Sequence, residues 1–147
     1  MSSIATIPGV EVKSANRVHV TWTGGQSFEA GRPGGVTHRI DGDAQAGPSP
    51  VDSLLNALAA CTSIDVVEIL AKRRTPVQTL TVDVEGARAQ ATPARLVGIH
   101  CAFRIAGAGI ERVHAERAIE LSVTKYCSVR DSLDPNIPIN WSLELEG

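Results

Sequence analysis

The sequence has few aromatic residues and little excess charge of either sign. Aromatic side chains make up only 3% of the 147 residues, whereas 43% of the residues are apolar, so a core would be built mainly from aliphatic side chains. Basic and acidic residues number 14 and 16, which gives a formal net charge of -2. Because so weak a field attracts neither a phosphate backbone nor an anionic membrane surface, we expect no nucleic-acid or membrane partner.

Common metal-binding and catalytic motifs are also missing from the sequence. The histidines are scattered, no H-x-H or H-E-x-x-H pair occurs, and the cysteines form no C-x-x-C. The sequence contains no P-loop, no G-x-G-x-x-G and no G-x-S-x-G. We therefore expect neither a bound metal nor a bound cofactor.

The sequence offers no obvious membrane span, signal peptide or disulfide framework. No uninterrupted apolar run reaches the roughly 18 residues that cross a bilayer, and the first twenty residues contain Glu11, Lys13 and Arg17. Three cysteines are an odd number, which suits a reducing compartment better than a secreted disulfide scaffold. These features predict a cytoplasmic protein.

The elements that can be identified predict an α+β fold in a single domain, 1–147. Alternation of apolar and polar residues indicates strands at 10–13, 18–22, 36–40, 80–84, 97–105 and 137–145. Helices are indicated from 51 to about 70 and from 111 to about 126. The predicted order is strands, helix, strands, helix and strand. This order differs from the regular alternation of strands and helices in a doubly wound sheet. The length suits one domain.

The first helix has a clear start and an unusually broad apolar surface. Ser49 can cap it and Pro50 suits the first helical position. After Asp52, the only charged residues up to position 70 are Asp65 and Glu68. A helix that is apolar nearly all round must be covered on several sides.

The three cysteines differ in what their positions predict. Cys101 alternates with apolar residues on the buried face of a strand, which indicates an inert core thiol. Cys61 lies mid-helix among alanines and fits core packing, whereas a reactive Cys61 needs a cation or donor from elsewhere, since Asp65 lies one turn away. Cys127 follows Lys125 near a helix end, a half-exposed position that suits either packing or contact with solvent.

Longer stretches of the sequence, taken in order, resemble the OsmC/Ohr superfamily of osmotically inducible and organic hydroperoxide resistance proteins. The matching stretches are GPSPVDSLLNALAACTSIDVVEIL at 47–70, RRTPVQTLTVDVEG at 73–86, HCAFRI at 100–105 and LSVTKYCSV at 121–129. The segments 63–67 and 125–129 are most similar to the YhfA-like branch.

This resemblance implies an OsmC-like fold, with long central helices packed against antiparallel sheets in an intertwined homodimer. A partner chain would account for the apolar surface of the first helix. In peroxidase members the first cysteine attacks a hydroperoxide, becomes a sulfenic acid and forms a disulfide with the second, which a dithiol then reduces. By motif, Cys61 would be the peroxidatic thiol and Cys127 the resolving thiol.

The sequence departs from the peroxidase branches at two positions near the expected site. An arginine that follows Gly-Gly in those branches is replaced by Gln26, and a glutamate after the helix-opening proline is replaced by Val51, with Asp52 next. Other arginines of the N-terminal part could substitute, although no motif assigns them: Arg17, Arg32 and Arg39.

Three hypotheses of function follow from these residues and this resemblance. The first is a thiol-dependent organic hydroperoxide reductase that uses Cys61 and Cys127. The second is a non-catalytic protein of the same fold that binds a small apolar molecule or a partner at the dimer interface. The third is a structural dimeric domain whose thiols are buried and inert.

Overall fold

The computed structural model describes residues 7–146, which form two compact units divided between Pro50 and Val51. The first contains strands β1 (His19–Gly24), β2 (Ser27–Gly31) and β3 (Thr37–Asp41). The second contains nearly all of helix α1 (Pro50–Lys72), strands β4 (Thr79–Arg88), β5 (Leu96–Ala106) and β6 (Ile139–Glu146), helix α2 (Arg112–Leu121), a π-helix (Ser122–Tyr126) and helix α3 (Ser128–Asp131). The predicted α+β class is confirmed.

The first unit is an antiparallel sheet with strand order β1-β2-β3. Gly24 and Gly25 have φ angles of 114° and 56°, which residues other than glycine rarely adopt, and they lie where β1 ends and the chain turns into β2. This unit buries little apolar surface, since Ala30 is buried but Trp22 is 64% exposed.

The strand predicted at 10–13 is wrong, because β1 begins only at His19. Val10 and Val12 are both about half exposed. Alternation alone does not make a strand, which also needs a neighbouring strand to satisfy its backbone N–H and C=O groups. Within residues 7–146, no strand pairs with this segment.

The second unit contains a mixed sheet with strand order β4-β5-β6. β4 and β5 are antiparallel, but β5 and β6 are parallel, from Ile99 beside Ile139 to Ala106 beside Glu146. The antiparallel pairing implied by the resemblance holds for β4 with β5 but not for β5 with β6. The chain passes through α2, the π-helix and α3 before β6, and a connection of that length can return a strand in the same direction.

Helix α1 supplies a buried stripe to the core of the second unit. The stripe consists of Leu58, Thr62, Val66 and Leu70, four residues apart, as expected for one face of a helix. Inward-facing side chains of β5 and α2 complete the core, among them Ile99, Cys101, Phe103, Ile105, Ala115, Ala118 and Ile119.

The rest of the α1 surface is less buried. Leu54, Ile64 and Val67 are each at least one-third exposed, so a single chain covers α1 along one stripe. By length and composition α1 could also cross a membrane, contrary to the expectation that no segment of this chain would. That expectation considered uninterrupted apolar runs, whereas α1 is apolar on average over a long stretch despite the acidic residues Asp52, Asp65 and Glu68. The packing of its stripe into the core is typical of a core helix.

Candidate functional site

Cys61 lies in the middle of α1, next to the buried stripe. Its neighbour Thr62 belongs to the stripe and is fully buried, whereas Cys61 itself is partly buried and packs against the edge of the core. The regular helix places Cys61 toward the segment that carries Cys127. Its position follows from the apolar periodicity of α1.

Cys127 is buried, and the expectation of a half-exposed thiol is wrong. The second helix does not continue regularly to residue 126, because α2 ends at Leu121 and a five-residue π-helix follows. At Cys127 the backbone becomes extended, and this residue is the N-cap of α3. The irregular turn places the side chain inward, where it is only 3% exposed.

Two donors approach the sulfur of Cys127. The backbone N–H of Arg130 donates to its Sγ over 3.3 Å, and the hydroxyl of Thr62 lies 3.7 Å from the same atom. The backbone N–H of Cys127 donates to the carbonyl of Ser122 over 2.9 Å. These contacts fix the direction of the Cys127 side chain relative to α1.

Cys61 and Cys127 are brought together by these elements. The pKa of Cys127 is raised mainly by burial; the backbone hydrogen bond from Arg130 opposes this, and the adjacent Cys61 thiol raises it further. Cys127 is therefore a protonated thiol at neutral pH. Cys61 and Cys127 are therefore neighbours in the structure. The sequence implied this proximity only through the family resemblance.

A small polar network links α1 to the π-helix beside the two thiols. The Ser122 hydroxyl donates to Asp65 Oδ2 over 2.6 Å, and its oxygen lies 3.2 Å from the Thr62 carbonyl oxygen. The Thr62 hydroxyl has two acceptors for its one proton, the Leu58 carbonyl oxygen at 2.8 Å and the Cys127 sulfur at 3.7 Å. Sequence reasoning missed Ser122 and Thr62; the only signal was a threonine within an otherwise apolar stripe of α1.

A cavity of about 370 Å³ extends to Cys127. The Arg130 side chain forms part of its wall and donates to the carbonyls of Asp134, Pro135 and Ile137 over 3.1, 3.3 and 3.0 Å. Cys61 is not among the described residues that line it. The lining residues are Val123, Thr124, Lys125, Cys127, Arg130, Asp131, Leu133, Pro135 and Ile139.

Cys101 occupies the buried face of β5, as predicted. It is 1% exposed, and burial, with a smaller effect from nearby Cys127, raises the pKa of Cys101 to about 11. A thiol with this pKa carries almost no thiolate at neutral pH.

The basic residues suggested as substitutes lie in the first unit. Arg39 donates to Glu29 over 2.8 Å, and Gln26 packs against Gly42. Within residues 51–146, no basic side chain hydrogen-bonds to Cys61 or Cys127. A group of His, Cys, Asp or Glu able to hold a metal is likewise missing from residues 7–146.

Comparison with known proteins gives a consistent result. A family model described as "OsmC-like protein" matches residues 41–142. Protein YhfA of Escherichia coli (strain K12) is 32% identical over 130 residues, which cover 88% of this chain and 97% of that protein.

Two solved structures extend this comparison to the fold. A hypothetical protein from Aquifex aeolicus VF5 has a TM-score of 0.77 and 25% identity, over 91% of this chain and 99% of that one. The organic hydroperoxide resistance protein OhrB of Bacillus subtilis has a TM-score of 0.61 and 14% identity, over 90% of this chain and 100% of that one. The second likeness is one of fold alone.

Proposed function

Since this chain belongs to the OsmC-like protein family, we propose that it is a thiol-dependent reductase of organic hydroperoxides that uses Cys61 and Cys127 as a redox pair. The observation that carries this proposal is the meeting of the two thiols at the contact between α1 and the start of α3. The organic hydroperoxide substrate is itself part of the proposal, because the likeness to OhrB by itself gives only the fold.

The reaction begins at Cys61. Its thiolate attacks one oxygen of the hydroperoxide, the O–O bond breaks, and the second oxygen leaves with a proton as the alcohol. Cys61 becomes a sulfenic acid. The Cys127 sulfur then attacks the Cys61 sulfur, a disulfide forms, and the hydroxyl leaves as water with the proton of the Cys127 thiol.

The environments of the two thiols suit these separate roles. Cys61 is partly exposed on α1, so a substrate can reach it, whereas Cys127 is buried and kept protonated. A protonated, inward-facing thiol does not compete for peroxide, but it is in place for the disulfide step. The Arg130 backbone donor can stabilise the Cys127 thiolate as it forms.

Consumption of cumene hydroperoxide by the purified full-length protein, followed by peptide mass spectrometry, tests the proposal. We expect a Cys61–Cys127 disulfide in wild type, and loss of turnover in Cys61→Ser. Cys101→Ala, which removes the third thiol, should keep both the turnover and the disulfide. Peroxide consumption by Cys61→Ser at the wild-type rate would contradict the proposed mechanism.

A second candidate function is non-catalytic binding of a small apolar molecule. The cavity at Cys127 favours it, because its volume suits a small ligand and the apolar residues Val123, Leu133, Pro135 and Ile139 form part of its wall, beside polar and charged ones. The absence of a basic side chain hydrogen-bonded to Cys61 within residues 51–146 points the same way. A wild-type protein that forms no disulfide with peroxide would favour this function over the first.

We also propose that the chain forms a cytoplasmic homodimer, with 1–147 as one OsmC-like domain. Exposed apolar side chains on α1, including Ile64 and Val67, form the kind of surface that a second copy covers. The family match over 41–142 includes parts of both compact units, which supports a single functional domain. Light scattering should give twice the chain mass of 15.5 kDa, and a monomeric mass would contradict the dimer.

A further inference from the structure

A trough of about 280 Å³ crosses one face of the β4-β5-β6 sheet, at the end where β4 finishes and β5 begins. Gly98 and His100 of β5 face the trough, whereas the side chain of Ile99 between them packs into the core on the opposite face. Neither Cys61 nor Cys127 lines the trough. It is therefore separate from the two thiols and outside the chemistry proposed for them.

Gly98 forms part of the floor of this trough, and neither its backbone nor its packing requires a glycine. Its φ angle is not in the left-handed region, so it does not form the kind of bulge that needs glycine, although the strand pairing shifts beside it. A Cβ on Gly98 would meet only the Pro138 Cγ, at 4.0 Å, whereas a Cβ on Gly86 of β4 would come 2.6 Å from Leu96 Cδ2. A glycine that weakens a strand without such a reason marks a place where another group approaches closely.

Small residues continue the floor on both sides of Gly98. Ala87 lies directly opposite Gly98 in the antiparallel pairing, and Pro138 lies beside it before the start of β6. A methyl group, a glycine and a proline ring in one row leave a flat, uncharged surface. Such a surface offers contact area to the face of a planar ring.

Three polar side chains, one from each strand, form a wall beside that floor. Glu85 lies opposite His100, and Asn140 lies beside His100 on the other side. The His100 Nε2 is 3.3 Å from Ser142 Oγ, which orients the ring toward β6. Within residues 7–146, no hydrogen bond or ion pair engages the Glu85 carboxylate or the Asn140 side chain. The described lining contains no lysine or arginine, so Glu85 gives the trough a negative charge.

We propose that this trough binds a small planar cation, a ring that carries an amidinium or a similar N–H-rich edge. The face of the ring lies on the floor at Gly98. Its edge donates two hydrogen bonds to the Glu85 carboxylate, the charge-assisted pairing that carboxylates form with planar cations. The Asn140 amide is a donor and an acceptor for the remaining polar groups of the ligand.

The charge and size of the trough favour this class of ligand over others. An anion would be repelled by Glu85, and an apolar chain would cover the polar wall without satisfying its hydrogen-bonding groups. A volume of about 280 Å³ holds a single ring or a fused pair, and it is near the lower end for small-molecule sites. We therefore expect a small ligand that binds with a Kd of about 1 mM.

NMR titration of the isotope-labelled full-length protein with benzamidine tests the proposal. Amide shifts at Gly98 and His100 should saturate with a Kd of about 1 mM. Cyclohexanecarboxamidine keeps the charge without the flat ring, and benzoate keeps the ring with the opposite charge; each should bind at least about fivefold more weakly. No saturable shift at these residues up to about 10 mM benzamidine, or binding of either other probe as tight as that of benzamidine, would overturn the inference.

Two variants test the floor and the wall separately. Gly98→Val places a branched side chain over the floor, and Glu85→Gln removes the charge from the wall while keeping its length. Each should weaken benzamidine binding by about fivefold or more. Valine is common in strands, so circular dichroism should show a folded Gly98→Val protein. Glu85 is exposed, so Glu85→Gln decides the question even if Gly98→Val does not fold.

Asp83→Asn is the matched control for the charge. Asp83 is an exposed carboxylate on the same face of β4, and it does not line the trough. The variant should change the Kd by less than about twofold. Equal weakening by Asp83→Asn and Glu85→Gln, or wild-type affinity in either folded trough variant, would overturn the inference. Peroxide turnover is not measured in these titrations, so a failure of the proposed function leaves their outcome unchanged.

Discussion

Helix α1 and the segment 122–131 each carry one of the two neighbouring thiols, but they are held in different ways. α1 is a regular helix of 23 residues whose stripe at every fourth position is buried in the core. Segment 122–131 is a π-helix followed by a four-residue helix. Polar contacts hold it to Thr62 and Asp65 of α1 and to the loop before β6. Apolar burial thus positions Cys61, and hydrogen bonds position Cys127.

The largest expected effect tests whether burial of apolar side chains holds α1 in place. Val66 is 0% exposed and Val67 is 42% exposed, so the same change at adjacent residues compares the two faces of α1. Val66→Ala should lower the free energy of unfolding by about 2–3 kcal/mol, because it removes buried methyl groups and leaves a cavity. Urea denaturation measures the difference.

Val67→Ala is the control for that change and should cost less than about 1 kcal/mol in a single chain. A cost for Val67→Ala that grows with protein concentration would instead indicate that a second copy covers this face, as the proposed homodimer requires. Equal costs at all concentrations for both variants would contradict the buried stripe.

The next prediction concerns the burial of Cys101, which lies near Cys127. Burial raises the pKa of Cys101 from its ordinary value of 9.0 to about 11, so the folded protein holds this proton more tightly than the unfolded chain. The resulting stabilisation is fully present below about pH 9 and is lost as the pH rises through about 11. Unfolding free energy should fall by about 2 kcal/mol between these limits.

Cys101→Ala separates the contributions of the two buried thiols to that loss. It should remove the part due to Cys101 and leave a smaller decrease from Cys127, whose pKa burial also raises. Denaturation curves at about pH 8 and about pH 11 measure both. A wild-type protein as stable at the higher pH as at the lower would show that Cys101 is not buried in the way described.

A smaller effect is expected where the hydrogen bonds of segment 122–131 are removed. Ser122→Ala leaves the partly buried Asp65 carboxylate and the Thr62 carbonyl without their hydroxyl partner and should cost about 1–2 kcal/mol. It should also slow disulfide formation between Cys61 and Cys127, measured with diamide by non-reducing mass analysis.

The control for this variant is Ser132→Ala, which also removes a hydroxyl bonded to a carbonyl, that of Ser128, but at an exposed position that does not line the cavity. It should cost less than about 0.5 kcal/mol and leave the disulfide rate unchanged. If both variants behave alike, the Ser122 network does not position Cys127.

The smallest expected effect concerns the hydroxyl that joins the two regions. The hydrogen bond from Thr62 lowers the pKa of Cys127, against the larger effect of burial. Thr62→Val should therefore raise the pKa of Cys127, whereas Thr62→Ser, which keeps the hydroxyl, should not. The ultraviolet absorbance of the thiolate, measured in the Cys61→Ser and Cys101→Ala background, checks this shift.

A purely structural role for Thr62 would contradict that expectation in a recognisable way. Thr62→Val would then alter stability by about 1 kcal/mol or less with no change in the titration of Cys127. A shift in Thr62→Val that Thr62→Ser reverses would assign the effect to the hydroxyl itself.

The sequence by itself determined the features that depend on local pattern. Pro50 begins α1 as expected, the alternation over 97–105 places Cys101 inward, and the order of elements indicates an α+β fold. At the start of β5 the alternation predicted the wrong inward-facing residue. Leu96 is buried and Val97 is 39% exposed, because the pairing of β4 with β5 shifts near Arg88. Periodicity is a property of neighbouring residues, so it can be read without the rest of the chain.

Only the tertiary structure decided the features that depend on distant residues. The direction of β6, the π-helix at 122–126, the burial of Cys127 and its contact with Cys61 all require the core to be assembled. The missing strand at 10–13 has the same cause, since no described strand pairs with it. Strand pairing and side-chain hydrogen bonds join residues far apart in sequence, and their energies do not appear in any local pattern.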